Sequence, residues 1–167
     1  MKKRYIYVIS LLLIGTFLLI KVLHLVLAKK SITENLSGIP LFSFSTVYLD
    51  ETVTPSNFKT GNLLINYFST DCDHCQYMAT SFFKNSTKLK NIKIIMVTAD
   101  EKIKVNAYIK SYNINLLENV IVLLDTKKEF LSKFGTSIVP SFFIYKDNKF
   151  LKKIVGETKI ENLIINE

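Results

Sequence analysis

The chain of 167 residues has no tryptophan, two cysteines and two histidines, and a single arginine, Arg4. Each scarcity closes off a class of function. Arginine is the side chain best suited to bidentate contact with phosphates and base edges. With one arginine, the formal net charge of +8 does not point to a nucleic-acid partner, and none is expected. Two cysteines are too few for the disulfide framework of a small exported domain, and structural zinc needs four ligands. The histidine other than His74 is His24, which lies inside an apolar run and supplies no second ligand pair, so no metal is expected. Internal repeats and low-complexity stretches are also missing, and 49% hydrophobic content excludes a disordered or collagenous chain.

The positive charge is unevenly placed. Residues 1–30 hold Lys2, Lys3, Arg4, Lys21, Lys29 and Lys30 with no acid, while the remainder has 16 basic against 14 acidic groups, a net of +2. Between these cations, residues 5–28 form an apolar stretch interrupted by Lys21. Its 24 residues exceed the roughly 20 that a membrane-spanning helix requires, if Lys21 snorkels to the headgroups. Ala28 follows Leu27 and Val26, a poor cleavage site, so an uncleaved anchor is favoured over a removed signal peptide. Three leading cations favour an outward-facing domain. The expectation is a single-pass protein of a bacterial inner membrane, with residues 1–30 as anchor, 31–38 as tether and 39–167 as one periplasmic domain.

Within that domain, residues 63–68, 92–97 and 120–124 are short apolar runs bounded by turn residues, the form of buried central strands. Residues 41–49 read as a strand or hairpin broken near Ser45 and Thr46. Residues 73–90, 101–112 and 127–134 have helical character, the last closing at Gly135. Residues 141–145 and 150–155 flank Asp147-Asn148-Lys149 as an antiparallel hairpin, and residues 160–165 form one short final helix. Strands alternating with helices predict an α/β sandwich whose sheet is covered on both faces.

Both cysteines lie in Cys72-Asp73-His74-Cys75, directly after the first buried strand and at the start of a helix. Helix N–H groups and the macrodipole favour a thiolate there, below the usual value of about 8.5. Cys72 is therefore the expected nucleophile and Cys75 the buried partner that resolves a mixed disulfide. No cofactor is needed beyond the Cys72–Cys75 disulfide itself. As a static staple the pair closes too little chain to stabilise much. A peroxidatic cysteine is disfavoured, since Cys72 has Ser69 three positions before it and Ile65 seven before, where Thr and Pro would stand.

The run Asn66-Tyr67-Phe68-Ser69-Thr70-Asp71-Cys72-Asp73-His74-Cys75, followed by Val139-Pro140-Ser141-Phe142-Phe143-Ile144, resembles the membrane-anchored thioredoxin-like thiol-disulfide oxidoreductases of bacterial envelopes. These are grouped with the TlpA and ResA reductases in the AhpC/TSA-like redoxin family. The resemblance implies a three-layer thioredoxin-like sandwich with an extra N-terminal β-hairpin at about 39–50 and a strand-helix insertion at about 92–124. It makes Pro140 a cis-proline and, with Val139, the edge of a groove where a substrate strand docks. It also puts Asn66 where thioredoxins usually bury an aspartate, and Asp100 where the reductases often place an acid near the site. The residues alone favour Asp100 as the N-cap of the helix beginning at Glu101. The usual tryptophan is replaced by Asp71 and the usual intervening residues by Asp73 and His74. A cationic His74 would make the disulfide more oxidising, while Asp71 and Asp73 push the other way.

The function expected is reduction of specific envelope protein disulfides, with a membrane thiol carrier as redox partner. A thiol oxidase of the DsbA kind is the alternative. Two non-enzymatic readings stay open: a Cu(I) delivery module built on Cys72, Cys75 and His74, and a thioredoxin fold used only for docking.

Overall fold

The computed structural model describes residues 12–23, 37–49 and 51–165. The chain divides into two compact units, 1–35 and 36–167. In the first, residues 12–23 are helical with their side chains exposed. Among the described residues no helix is long and apolar enough to cross a membrane. Most of the expected anchor, 1–11 and 24–30, and most of the tether, 31–36, lie outside the described residues.

The second unit is built on one mixed sheet of seven strands in the order β2-β1-β5-β4-β3-β6-β7. These are β1 (Phe44–Thr46), β2 (Thr52–Val53), β3 (Asn62–Tyr67), β4 (Ile92–Thr98), β5 (Val120–Leu124), β6 (Ser141–Lys146) and β7 (Lys149–Val155). The helices are α1 (Asp73–Lys84), α2 (Ser86–Leu89), α3 (Lys102–Ser111) and α4 (Phe130–Phe134). β3, β4 and β5 run parallel, in keeping with the near-continuous apolar sequences of strands covered on both faces. β6 then joins β3 antiparallel, Tyr67 opposite Ser141, which brings the start of β6 beside the end of β3.

Each face of the sheet has its own core. Leu64, Ile94 and Met96 pack on one side with Met78, Phe82, Val105 and Ile109 from α1 and α3. Leu63, Ile65 and Ile95 pack on the other with Phe42, Phe44, Phe130 and Phe134. The predicted covering of both faces is thus observed. The N-terminal hairpin exists as β1 and β2, which add to the sheet through antiparallel pairing of β1 with β5.

Several predicted boundaries move. Ser45 and Thr46 belong to β1, and the chain turns after them, closed by Thr46 N–H donating to Glu51 O. The helix expected over 73–90 breaks at Asn85, whose side-chain amide donates to Ser81 O and competes with the backbone ladder. The helix expected from 127 starts at Phe130, because Lys128 is left-handed (φ 55) and Asp125 binds the amides of Glu129 and Phe130. Gly135 does close it, at φ 67. The final helix is one 3-10 turn, Ile160–Asn162.

Candidate active site

β3 delivers the chain to the cysteines. Asn66, 2% exposed, donates from its side chain to Tyr67 O and Ser141 O and ties the end of β3 to β6. Ser69 and Thr70 then lead into Cys72, which is extended (φ −102, ψ 115) and is the N-cap of α1. The Cys72 sulfur accepts the Cys75 amide at 3.3 Å, and the Cys72 carbonyl accepts from Cys75 and Gln76. That sulfur contact strengthens when the sulfur is an anion, at the end of the helix that favours negative charge.

The two thiols are not bonded to each other in this structure, and they differ in access. Cys72 is half-buried and Cys75 is buried. Burial pushes the Cys75 thiol well above its ordinary value, and hydrogen bonding to the Cys72 sulfur adds to this, while the Ser69 amide opposes it. A nucleophile that meets solvent, backed by a protonated thiol that stays covered, is the division of labour that thiol-disulfide exchange requires.

Asp100 does not cap α3, whose N-cap is Glu101 with no side-chain bond. One of its oxygens instead accepts from the Thr70 amide at 2.6 Å, the Thr70 hydroxyl at 2.9 Å and the Ser69 hydroxyl at 3.0 Å. Burial raises the carboxyl pKa, but these bonds outweigh it and hold the group below the usual carboxylate range. The capping expectation fails because two hydroxyls and a backbone N–H from the loop before Cys72 compete for the side chain and win.

Of the residues expected to tune the pair, Asp71 and His74 are held by partners. Asp71 accepts from Lys104 at 2.6 Å, and His74 meets Glu157 at 2.8 Å through Nδ1. Asp73 is exposed in the first turn of α1, where an acid suits the helix dipole. His74 is turned toward Glu157, and among the described residues no group of three or more His, Cys, Asp and Glu could hold a metal ion. Directly before β6 the Val139–Pro140 bond is cis, Pro140 is buried, and its carbonyl accepts from Gly156 N–H at 2.8 Å. Val139 packs against the same apolar cluster as Cys72 and Cys75. Sequence reasoning did not find Lys104, Glu157 or Tyr108, whose hydroxyl donates to Cys75 O. The signal for two of them was the four-residue spacing of 104 and 108 on α3.

The sequence pattern of the AhpC/TSA family matches residues 38–154. The chain belongs to this family. Two curated relatives are named thiol-disulfide oxidoreductase ResA. That of Bacillus subtilis is 28% identical over 141 residues, covering 81% of this chain and 74% of the relative. That of Bacillus thuringiensis subsp. konkukian is 32% identical over 113 residues, covering 64% of this chain and 62% of the relative, under two thirds of its length. Among solved structures, a thioredoxin-family thiol:disulfide interchange protein from Chlorobium tepidum superposes with a TM-score of 0.64 at 16% identity, covering 76% of this chain and 92% of the other. StoA from Bacillus subtilis gives 0.58 at 19%, covering 76% and 96%. The fold of this AhpC/TSA member is thioredoxin-like.

Proposed function

We propose that this chain reduces protein disulfides in a bacterial envelope, tethered to the inner membrane by its N-terminal segment and working in the periplasm. Its activity is that of a thiol-disulfide oxidoreductase using Cys72 and Cys75. The observation that carries the reading is the pairing of a half-exposed sulfur at a helix N-cap with a covered thiol hydrogen-bonded to it.

The Cys72 thiolate attacks one sulfur of a substrate disulfide, forming an S–S bond to Cys72 and expelling the other sulfur as thiolate. Cys75 then loses its proton and attacks the Cys72 sulfur. The Cys72–Cys75 disulfide forms, and the substrate's second thiolate leaves. The substrate gains two electrons, the pair loses two, and a membrane thiol carrier restores the dithiol. Val139 and Pro140, beside the pair, are the edge on which the substrate chain rests. His74, Asp71, Asp73 and Asp100 adjust the pair through charge and loop position.

Cys72→Ser is expected to abolish reduction of insulin disulfides, and Cys75→Ser to accumulate mixed disulfides with substrates. Normal turnover by Cys72→Ser ends the proposal. Redox titration decides direction: a potential near about −120 mV, that of a strong oxidant, would make the protein an oxidase.

A further inference from the structure

Lys104 and Tyr108 stand four residues apart on one face of α3, and Asp100 lies just ahead of its N-cap, Glu101. Each holds a successive part of the cysteine segment. Asp100 takes Ser69 and Thr70, Lys104 takes Asp71, and Tyr108 takes Cys75. The third contact reaches the resolving cysteine. The Tyr108 hydroxyl donates to Cys75 O at 2.8 Å in a buried setting, and the residue is 4% exposed. Its ring packs on Phe68 at 5.0 Å, where β3 leaves the sheet, and on Tyr112 at 4.7 Å.

Cys75 is in the first turn of α1, so its carbonyl is already an acceptor for the helix ladder, and a carbonyl has a second lone pair to offer. The phenol is not needed to rescue an orphaned group. What it adds is a fixed point. Among the described residues the charges that act on Cys75 are the Cys72 sulfur and then Asp100, and both oppose loss of the thiol proton. Asn66, at the position before the loop where an acid could serve as base, carries none. A resolving step without a neighbouring base depends all the more on alignment of the two sulfurs.

We propose that Tyr108 is a positioning residue for the resolving step, its hydrogen bond to the Cys75 carbonyl fixing the first turn of α1 so that the Cys75 sulfur stays aligned on Cys72. This rests on the two cysteines acting as an exchanging pair. The phenol itself stays protonated: burial drives its pKa far up, and the charges of Cys75, Tyr112 and Cys72 add to that.

The test uses the reduced full chain and Ellman's reagent in a stopped-flow mixer. Attack by Cys72 releases one aryl thiolate and leaves the other bound as a mixed disulfide. Attack by Cys75 releases the second and leaves the Cys72–Cys75 disulfide, so the two steps appear as two phases. Tyr108→Phe, which keeps the ring and removes one oxygen, is expected to slow the second phase about fivefold, the loss of one ordinary hydrogen bond, at every pH and with the first phase unchanged. Tyr112→Phe, which removes a phenol that makes no bond to Cys75, should leave both phases alone. An unchanged second phase in Tyr108→Phe overturns the proposal. So does equal slowing of both phases, which would report general loosening. If the wild-type chain releases fewer than two aryl thiolates, the exchanging pair itself is refuted.

Discussion

Asp100→Ala removes the acceptor that holds the loop before Cys72, and the structure sets the size of the loss. One carboxylate oxygen receives three donors, at 2.6, 2.9 and 3.0 Å. Hydrogen bonds to a charged group are worth about 1.5–3 kcal/mol each, but three donors share one oxygen, and two of them are hydroxyls that can turn to other acceptors. The Thr70 amide has no such freedom, in a residue only 8% exposed. Leaving it unpaired, with part of the hydroxyl contribution, amounts to roughly 2–4 kcal/mol at neutral pH, and Asp100→Asn, which keeps an oxygen without the charge, should lose about half of that. Urea unfolding of the reduced protein followed by circular dichroism measures this, since the chain has no tryptophan. The sign of the pH dependence follows from the lowered pKa of Asp100. A carboxyl held below its unfolded value stabilises the fold above the ordinary carboxylate range of about 4, and that contribution is lost as pH falls through the folded value. The gap between wild type and Asp100→Ala should therefore close on acidification. A loss below about 0.5 kcal/mol at pH 7, or a gap undiminished at about pH 2, refutes the reasoning.

Asp125 is 1% exposed and binds the amides of Glu129 and Phe130 at 2.8 Å each. Asp125→Ala should lower unfolding free energy by about 2–3 kcal/mol, with Phe130 and its stack on Tyr67 loosened first, which hydrogen exchange at Phe130 would detect. Burial holds the Cys75 thiol far above its usual value. The second phase of aryl-thiolate release should accordingly quicken about tenfold per pH unit from about pH 7 to 9, following the thiolate fraction, and a plateau below about pH 8 would contradict that environment.

The buried strands and the cysteine pair were legible because each is a local pattern. Residues 63–68 and 92–97 are apolar but for Asn66 and Lys93, and their flanking turn residues bound them. The break at Asn85 and the late start of α4 were not legible, since each depends on a side chain that bonds to a backbone group at a helix end. Asp100 shows the same limit at the site. A residue just before a helix is most often a cap, and only the fold brings Ser69 and Thr70, thirty positions earlier, within reach of it. Glu157 belongs to a loop 83 residues beyond His74, so nothing in the neighbourhood of the cysteines pointed to their pairing.

The charges around Cys72 matter less than their number suggests. Asp71 and Lys104 neutralise each other with side chains 71% and 52% exposed, and His74 is hydrogen-bonded to Glu157 with side chains 71% and 39% exposed. Pairs in such surroundings act weakly and are screened at physiological salt. The opposing effects expected of His74 and Asp71 are therefore muted twice, by their partners and by water. What is not muted lies on the covered side: the Cys75 thiol, the Ser69 amide that faces its sulfur, the Asp100 carboxylate that fixes Ser69, and the Tyr108 hydroxyl on the Cys75 carbonyl. In low dielectric each of these acts at closer to full strength. The groups that act on Cys75 at short range thus come from α3 and the loop leading into the cysteines, while the charged residues beside and between the cysteines act through water.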